Sequence, residues 1–458
     1  MPASRIALEL NDALLAVADE TGVLATEPGY AVVGEGGARL GLDALPLLRR
    51  QRHLASTRHW REFSDQPLTQ PLGSYRSNAE LVAAQLQRLW VRHGAGRDGV
   101  VYATPPWWTA SQLQLLVALS DTLGMRVLGL ADAAVAACRY EHPGRELLQL
   151  DASLHSLTLS QIRQAGQAQL GDRESFPTLG IEPLLRLATE LIARRFVECS
   201  RFDPLHDSAA EQTLFDRLPD WLARLARGAE VTLELDTRSG TFGATLQAAD
   251  FRAQLARSCE PLLQKLRARI AERGPHALQV HPRLADIPGV IDALLRLPDT
   301  VVHVQSPGAA AAGLVGRVPA RLQSGSVPVV ELDWDQGPAV VLPAVSSSAS
   351  PAAELPTHLL VGHRAYRLGS GPFRVGAEVP VGEAGVALDP GLRGLSRQHC
   401  TLRRENGFLF VLDHSRFGTW LNGHRIEGTA LLQSGDILSV GSPAVELRLL
   451  TEVDAHGA

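Results

Sequence analysis

Two short segments near the end of the chain carry residue types that could bind an anion. Ser396-Arg397-Gln398-His399 is one, and HSRFGTWLNG at 414–423 is the other. A phosphate dianion needs a cationic fork and one or two hydroxyl or amide donors. Ser396, Arg397 and Arg416 are of those types, and Arg374 and Arg393 lie nearby in the chain. Asn422-Gly423 is also a strong hairpin turn in its own right, because both residues tolerate positive φ. Other chemistries find little support. Lys265 is the sole lysine and follows Gln264, so there is no GxxxxGK phosphate loop. No HExxH, GxSxG or GxGxxG stands in a strand-turn-helix setting. Cys138, Cys199, Cys259 and Cys400 are far apart and form no CxxC pair, which points to reduced buried thiols rather than disulfides or a zinc site. His53 with His59, and His276 with His281, lack a third convergent ligand, so surface or structural roles are expected rather than a metal site.

These segments sit in a chain of 458 residues and 49.2 kDa, enough for two or three domains. With 45% hydrophobic and 20% charged residues it reads as an ordinary globular protein. A net charge of −5 argues against general nucleic-acid binding. No stretch approaches the ~18 apolar residues of a spanning helix. MPASRIALELND lacks a secretory pattern, and a cytoplasmic location is expected.

The elements that must position the chemistry read as follows. Residues 6–18 form two short strands with a turn at Asn11-Asp12, and 30–42 hold a glycine-rich strand pair. Residues 77–93 form a helix capped by Ser77, with Glu80 completing a capping box. A strand at 99–103 precedes a helix at 109–123 that Gly124 stops. A strand (RVLGL), an alanine-rich helix (ADAAVAACRY) and a further strand region (ELLQLDASLHSLTLSQI) follow. Residues 182–227 are mostly helical, with breaks at Pro204 and Pro219. A hairpin spans 230–247 around Arg238-Ser239-Gly240, and one long helix spans 249–273. Strand 277–281, helix 288–296, strand 300–305 and a small-residue helix at 308–316 complete this part. From about 340 the chain turns Ser-, Pro- and Ala-rich and reads as a linker. Beyond it, short alternating runs with turns every eight to twelve residues give the pattern of an all-β sandwich.

The C-terminal part, residues 358–450, resembles the forkhead-associated (FHA) domain. The matching positions are Gly376, Ser396, Arg397, His399, Ser415, Gly418, Thr419, Asn422, Gly423, Gly435 and Asp436. The resemblance implies a β-sandwich whose end loops bind phosphothreonine peptides. It also implies an arginine after the first glycine and an asparagine before Gly-Thr, where this chain has Ala377 and Phe417. Each lost hydrogen bond to a charged group is worth roughly 1.5–3 kcal/mol. Two readings stand: an altered phosphopeptide site using Arg374, Arg393, Ser396, Arg397, Arg416, Thr419 and Asn422, or a fold that binds protein by shape. His399 reads as a hydrogen-bonded core histidine.

The N-terminal part, about residues 5–320, resembles a degenerate heat-shock chaperone (DnaK-type) ATPase domain. VVYATPPWWTASQLQLLVALSDTLGMRVLGLADAAVAACRY carries the likeness, with HPRLADIPGVIDALLRL and SPGAAAAGLVG after it. The resemblance implies a two-lobed, actin-like α/β fold with ATP between the lobes. It implies two glycine-rich phosphate hairpins, carboxylates that hold Mg²⁺ through water, and a Gly-Gly turn at the adenosine. The carboxylates have counterparts in Glu9, Asp132 and Asp151, and the implied nucleotide set adds Asn11, Ser153 and Gly289. The glycines do not have counterparts. The first hairpin reads Leu10-Asn11-Asp12-Ala13, the second Asp151-Ala152-Ser153-Leu154-His155-Ser156, and the adenosine turn His281-Pro282. The chain also lacks the chaperone's peptide-binding domain and lid.

The expected organisation is therefore an actin-like domain over 1–338, a linker over 339–356 and an FHA sandwich over 357–453. The expected function is a non-catalytic adaptor, a pseudo-ATPase scaffold in signalling. No cofactor is expected, and ATP with Mg²⁺ is the candidate if one binds. The expected partner is a protein, threonine-phosphorylated or not, with no nucleic acid and no membrane span. Two alternatives remain: an ATP-binding, chaperone-like protein regulated through its FHA module, and an actin-like filament former.

Overall fold

The computed structural model describes residues 5–238, 240–317, 327–336, 356–361, 364–369, 371–380, 382–389, 391–405, 408–421, 424–426, 428–432, 436–441 and 445–450. The chain divides into two compact units, residues 1–342 and 343–458. Most of the expected linker, residues 339–355, lies outside the described residues, as do Asn422, Gly423 and Gly435.

The first unit is built on two sheets. One holds β1 (Arg5–Glu9), β2 (Leu15–Asp19), β3 (Gly22–Glu27), β4 (Gly99–Thr104) and β5 (Val127–Asp132), in the order β5-β4-β1-β2-β3. Strands β1, β2 and β3 form an antiparallel meander, and β4 and β5 join β1 in parallel. The other holds β6 (Glu146–Ala152), β7 (Leu157–Gln164), β8 (Gln167–Phe176), β9 (His276–Val280), β10 (Thr300–Val304) and β11 (Glu331–Asp333), in the order β10-β9-β6-β7-β8-β11. It repeats the scheme: β6, β7 and β8 are an antiparallel meander, and β9 and β10 are parallel to β6. Parallel neighbours need long crossovers, and helices supply them in both halves. In the first half these are α1 (Asn78–His93) and α2 (Ala110–Thr122), followed after β5 by α3 (Ala133–Ala137). In the second they are α4 (Ile181–Ser200), α5 (Ser208–Arg227), α6 (Ala248–Ser258), α7 (Glu260–Arg273) and α8 (Val290–Leu295), followed after β10 by α9 (Ala309–Val315).

The caps follow from local chemistry. The Ser77 hydroxyl accepts the Glu80 amide at the start of α1, and Thr109 with Gln112 closes a full capping box on α2. The Glu80 carboxylate accepts from the Arg76 amide rather than from Ser77, so the expected box is displaced by one residue. Pro219 does not break its helix. It lies inside α5 on the exposed side, while Leu214, Leu218, Trp221, Leu222 and Leu225 bury the other side without interruption. The expected single helix over 249–273 is two. The Cys259 amide tightens onto the Ala256 carbonyl, and Pro261, which has no N–H to donate, sits in the first turn of α7. The alanine-rich helix is short, at Ala133–Ala137, and strands β8 and β11 were not expected.

Between the two sheets lies a core of small side chains. Ala7, Val101 and Ala131 from one sheet and Leu147, Ile162 and Ala277 from the other meet α3 and α9 there. The contact of the two helices is close enough that a Cβ on Gly313 would lie 2.1 Å from the Ala136 carbonyl oxygen. Arg317 reaches from the end of α9 and donates to the carbonyls of Cys138 and Ala136, binding the same seam with backbone hydrogen bonds.

The second unit is an all-β sandwich. Among the described residues, one sheet has six strands, with His358–Val361, Val445–Leu450 and Ile437–Val440 among its inner ones. The other has five, with Phe373–Gly376, Cys400–Glu405 and Phe408–Asp413 inside. Leu359, Val375, Cys400, Val411, Leu438 and Leu447 fill the core between them. Among the described residues, no helix is long and apolar enough to cross a membrane.

Candidate functional site

In the first unit the candidate residues gather where the β1–β2 turn meets the β6–β7 turn. Asn11 Nδ2 donates to Asp151 Oδ1 at 2.9 Å and to the Ala152 carbonyl at 3.0 Å. The next residue, Asp12, accepts the Leu154 amide at 2.8 Å through Oδ1. The two turns are thus bonded directly to each other across the gap between the sheets. Several of their backbone donors are engaged as well. The Ala13 amide goes to Asn11 Oδ1, the Ser153 amide to the Ser156 carbonyl, and the His155 and Ser156 amides to Ser153 Oγ. A third tie crosses the gap at Asp132, which caps α3 through the Ala134 amide and receives Arg173 Nη2 at 2.7 and 2.9 Å. Sequence reasoning missed Arg173, because it lies on β8, a strand too polar to register as one.

Glu9 points at the start of α9 and accepts the amides of Ala310 and Ala311 at 3.0 and 3.3 Å. Burial, and then the charge of Asp151, push its carboxyl up to about 8. Burial likewise pushes Asp12 up to about 7 and Asp151 up to about 6. Asp12 Oδ2 is buried with no hydrogen-bond partner among the described residues, as a neutral carboxyl tolerates better than an anion. Gly289 stands apart from this group. Its φ of +85° starts α8, and a Cβ there would lie 2.4 Å from the Arg252 carbonyl oxygen, so its requirement is packing on α6. His281 is buried, and its Nδ1 accepts the Arg283 amide. Among the described residues, no group of three or more His, Cys, Asp or Glu side chains is arranged to hold a metal ion.

In the sandwich, Ser396, Arg397 and Arg416 do come together. The Arg416 amide donates to Ser396 Oγ at 3.2 Å, joining the two loops. Behind them, His399 is fully buried; its Nδ1 accepts the Ser396 amide, and its Nε2 lies 3.2 Å from the Gly418 carbonyl. The core role expected for His399 is the observed one. Asp413 accepts the Ser415 amide and both the amide and hydroxyl of Thr419. Burial pushes the Asp413 carboxyl up, but these bonds hold it below its ordinary value. Thr419 is therefore buried and committed to Asp413 rather than to a ligand. Gly376 is required by close approach: a Cβ would lie 2.1 Å from the Arg397 carbonyl oxygen. The neighbouring amides of Ala377 and Glu378 bond to the carbonyls of Ser396 and Arg397 and pin that loop to its strand.

The Arg374 guanidinium is paired with Glu383. Arg393, Arg397 and Arg416 are exposed and make no ion pair among the described residues. Phe417 is 58% exposed, and the Arg416 guanidinium lies 5.6 Å from its ring centroid. A Cβ built on Gly394 would lie 3.9 Å from the same ring, so the Arg393 loop borders it.

No curated protein matches the chain. No family match supports the resemblance of the first unit. Residues 373–441 match the family model of the FHA domain, and the sandwich organised by Gly376, Ser396 and His399 is an FHA domain.

Proposed function

We propose that the chain is a non-catalytic adaptor, in which an actin-like, nucleotide-free body accompanies an FHA protein-interaction module. The sandwich supports the second half of this reading, since FHA domains are protein-interaction modules that typically take phosphothreonine peptides. For the first half, the support is the repeated strand order of the two sheets, each a three-strand meander extended by two parallel strands. That order suits a duplicated, two-lobed fold of the actin and DnaK type.

One observation carries the pseudo-ATPase reading: the turns that would cradle phosphates are hydrogen-bonded to each other through Asn11–Asp151 and Asp12–Leu154. A phosphate cradle needs free backbone N–H groups and room for the anion. Here the amides of Ala13, Ser153, Leu154, His155 and Ser156 have protein acceptors, and the buried carboxyl of Asp12 stands beside them. These residues do not fit Mg-ATP. The test is the melting temperature of the full chain with and without millimolar Mg-ATP. No shift is expected, whereas a bound nucleotide at ~100 times its Kd would add about 2.7 kcal/mol and raise the midpoint. A clear rise would overturn the pseudo-ATPase reading and favour the chaperone-like alternative.

A further inference from the structure

The loops of the FHA domain present a surface that differs in kind from a phosphate fork. At the two places where the resembling domains place an arginine and an asparagine stand Ala377 and Phe417. Alanine cannot donate to a phosphate, and neither can an aromatic ring. Phe417 is exposed over more than half its surface, so its ring is available as the apolar centre of a contact. Arg416 stacks on that ring, and Arg393 and Arg397 come from the adjoining loop. None of the three is neutralised by an ion pair among the described residues. Among the acids of these loops, Asp389 is exposed and accepts the Gly391 amide ahead of Arg393. Glu378 is exposed beside Arg397, while Asp413 is consumed by Ser415 and Thr419. An apolar centre with an arginine rim is the composition of an interaction hot spot, in which aromatic and arginine side chains dominate.

We propose that this surface binds an unphosphorylated acidic peptide, one of whose apolar side chains covers the Phe417 ring while its carboxylates pair with Arg393, Arg397 and Arg416. The inference rests on the reading of the sandwich as a protein-interaction module and gives that module its ligand class. Carboxylates spread along a peptide suit three separate guanidinium groups. A single dianion needs the convergent fork that Ala377 and Phe417 have removed. Phe417 becomes the specificity-determining residue: it rejects the phosphate that an amide would accept and rewards an apolar neighbour instead.

The experiment uses the full chain and two fluorescent peptides, read by anisotropy. One is an acidic peptide with a central Leu-Phe pair and no phosphate; the other is a phosphothreonine peptide of matched length. The unphosphorylated peptide is expected to bind more tightly, with affinity falling as salt rises. Phe417→Ala should weaken it about tenfold or more, and Arg416→Ala should reduce both affinity and salt dependence. The double variant Ala377→Arg with Phe417→Asn should reverse the preference toward phosphothreonine, a gain that a misfolded sandwich could not give. Preference of the native chain for the phosphothreonine peptide, or an affinity untouched by Phe417→Ala, overturns the inference and leaves the module reading standing. The same holds if the native chain binds neither peptide while the double variant binds the phosphothreonine one. If the native chain and the double variant both bind neither, the reading of these loops as a peptide site fails as well.

Discussion

Substituting Glu9 by glutamine probes the closed gap between the sheets directly. Glu9 is buried at the start of α9, within reach of the charge of Asp151 on β6, and it accepts two backbone amides. Its carboxyl is raised from the ordinary glutamate value to about 8, first by burial and then by Asp151. A folded-state pKa above the unfolded one means that the folded chain holds the proton more tightly. Stability is then fullest at low pH, below the unfolded value, and is lost as pH rises toward 8. At about 1.4 kcal/mol for each tenfold step, the loss from Glu9 is on the order of 4 kcal/mol, part of which relaxation and water entry recover. Asp12 and Asp151 act in the same direction up to about pH 7 and about pH 6, opposed by the nearby charges of Arg61 and Arg173. Glutamine imitates the protonated acid, because its amide oxygen can still accept from Ala310 and Ala311. Urea unfolding from about pH 5 to about pH 8.5 should show native stability falling with pH. The variant should fall less and overtake the native chain at the alkaline end. Parallel pH profiles for the two proteins would refute the buried-proton account.

Three further outcomes follow from the geometry. Gly313→Ala should destabilise the first unit by about 1–3 kcal/mol in urea unfolding, because the new methyl meets the Ala136 carbonyl with no flexible side chain to move aside. A colorimetric thiol reagent should modify one cysteine in the native protein and four after denaturation. Cys199 is exposed, while Cys138, Cys259 and Cys400 are buried, with thiols pushed by burial to about 12, 11 and 12. Ser77→Ala should cost about 1 kcal/mol through loss of the α1 cap, with the melting temperature as readout.

Where one residue's chemistry decided the local structure, the sequence was readable. Ser77 and Thr109 announce their helices because a short hydroxyl next to an apolar repeat has one good use. The glycine at 376 and the histidine at 399 sit in so ordered a pattern that the sandwich is legible before any coordinates. Elsewhere the deciding partner was remote. Pro219 looks like a break until the buried row through Trp221 is seen to continue past it, with the proline facing water. Strand β8 carries so many polar residues that only its pairing with β7 and β11 makes it a strand. Phe417 could be read as a missing amide, but its exposure and its stacking with Arg416 could not. The bonds of Asn11 to Asp151 and of Asp132 to Arg173 join residues far apart in the chain, so no local pattern foretells them.

The seam at Gly313 and Ala136 bears on how this body meets other molecules. Two halves that must first swing together lose freedom whenever something binds across them, and that loss weakens the complex. Helices α3 and α9 touch without clearance, and Arg317 ties the joint with further backbone bonds. That loss of freedom is already incurred during folding. A partner spanning both halves therefore meets a surface set in advance, and its residence time depends on the contacts it makes rather than on a closing motion.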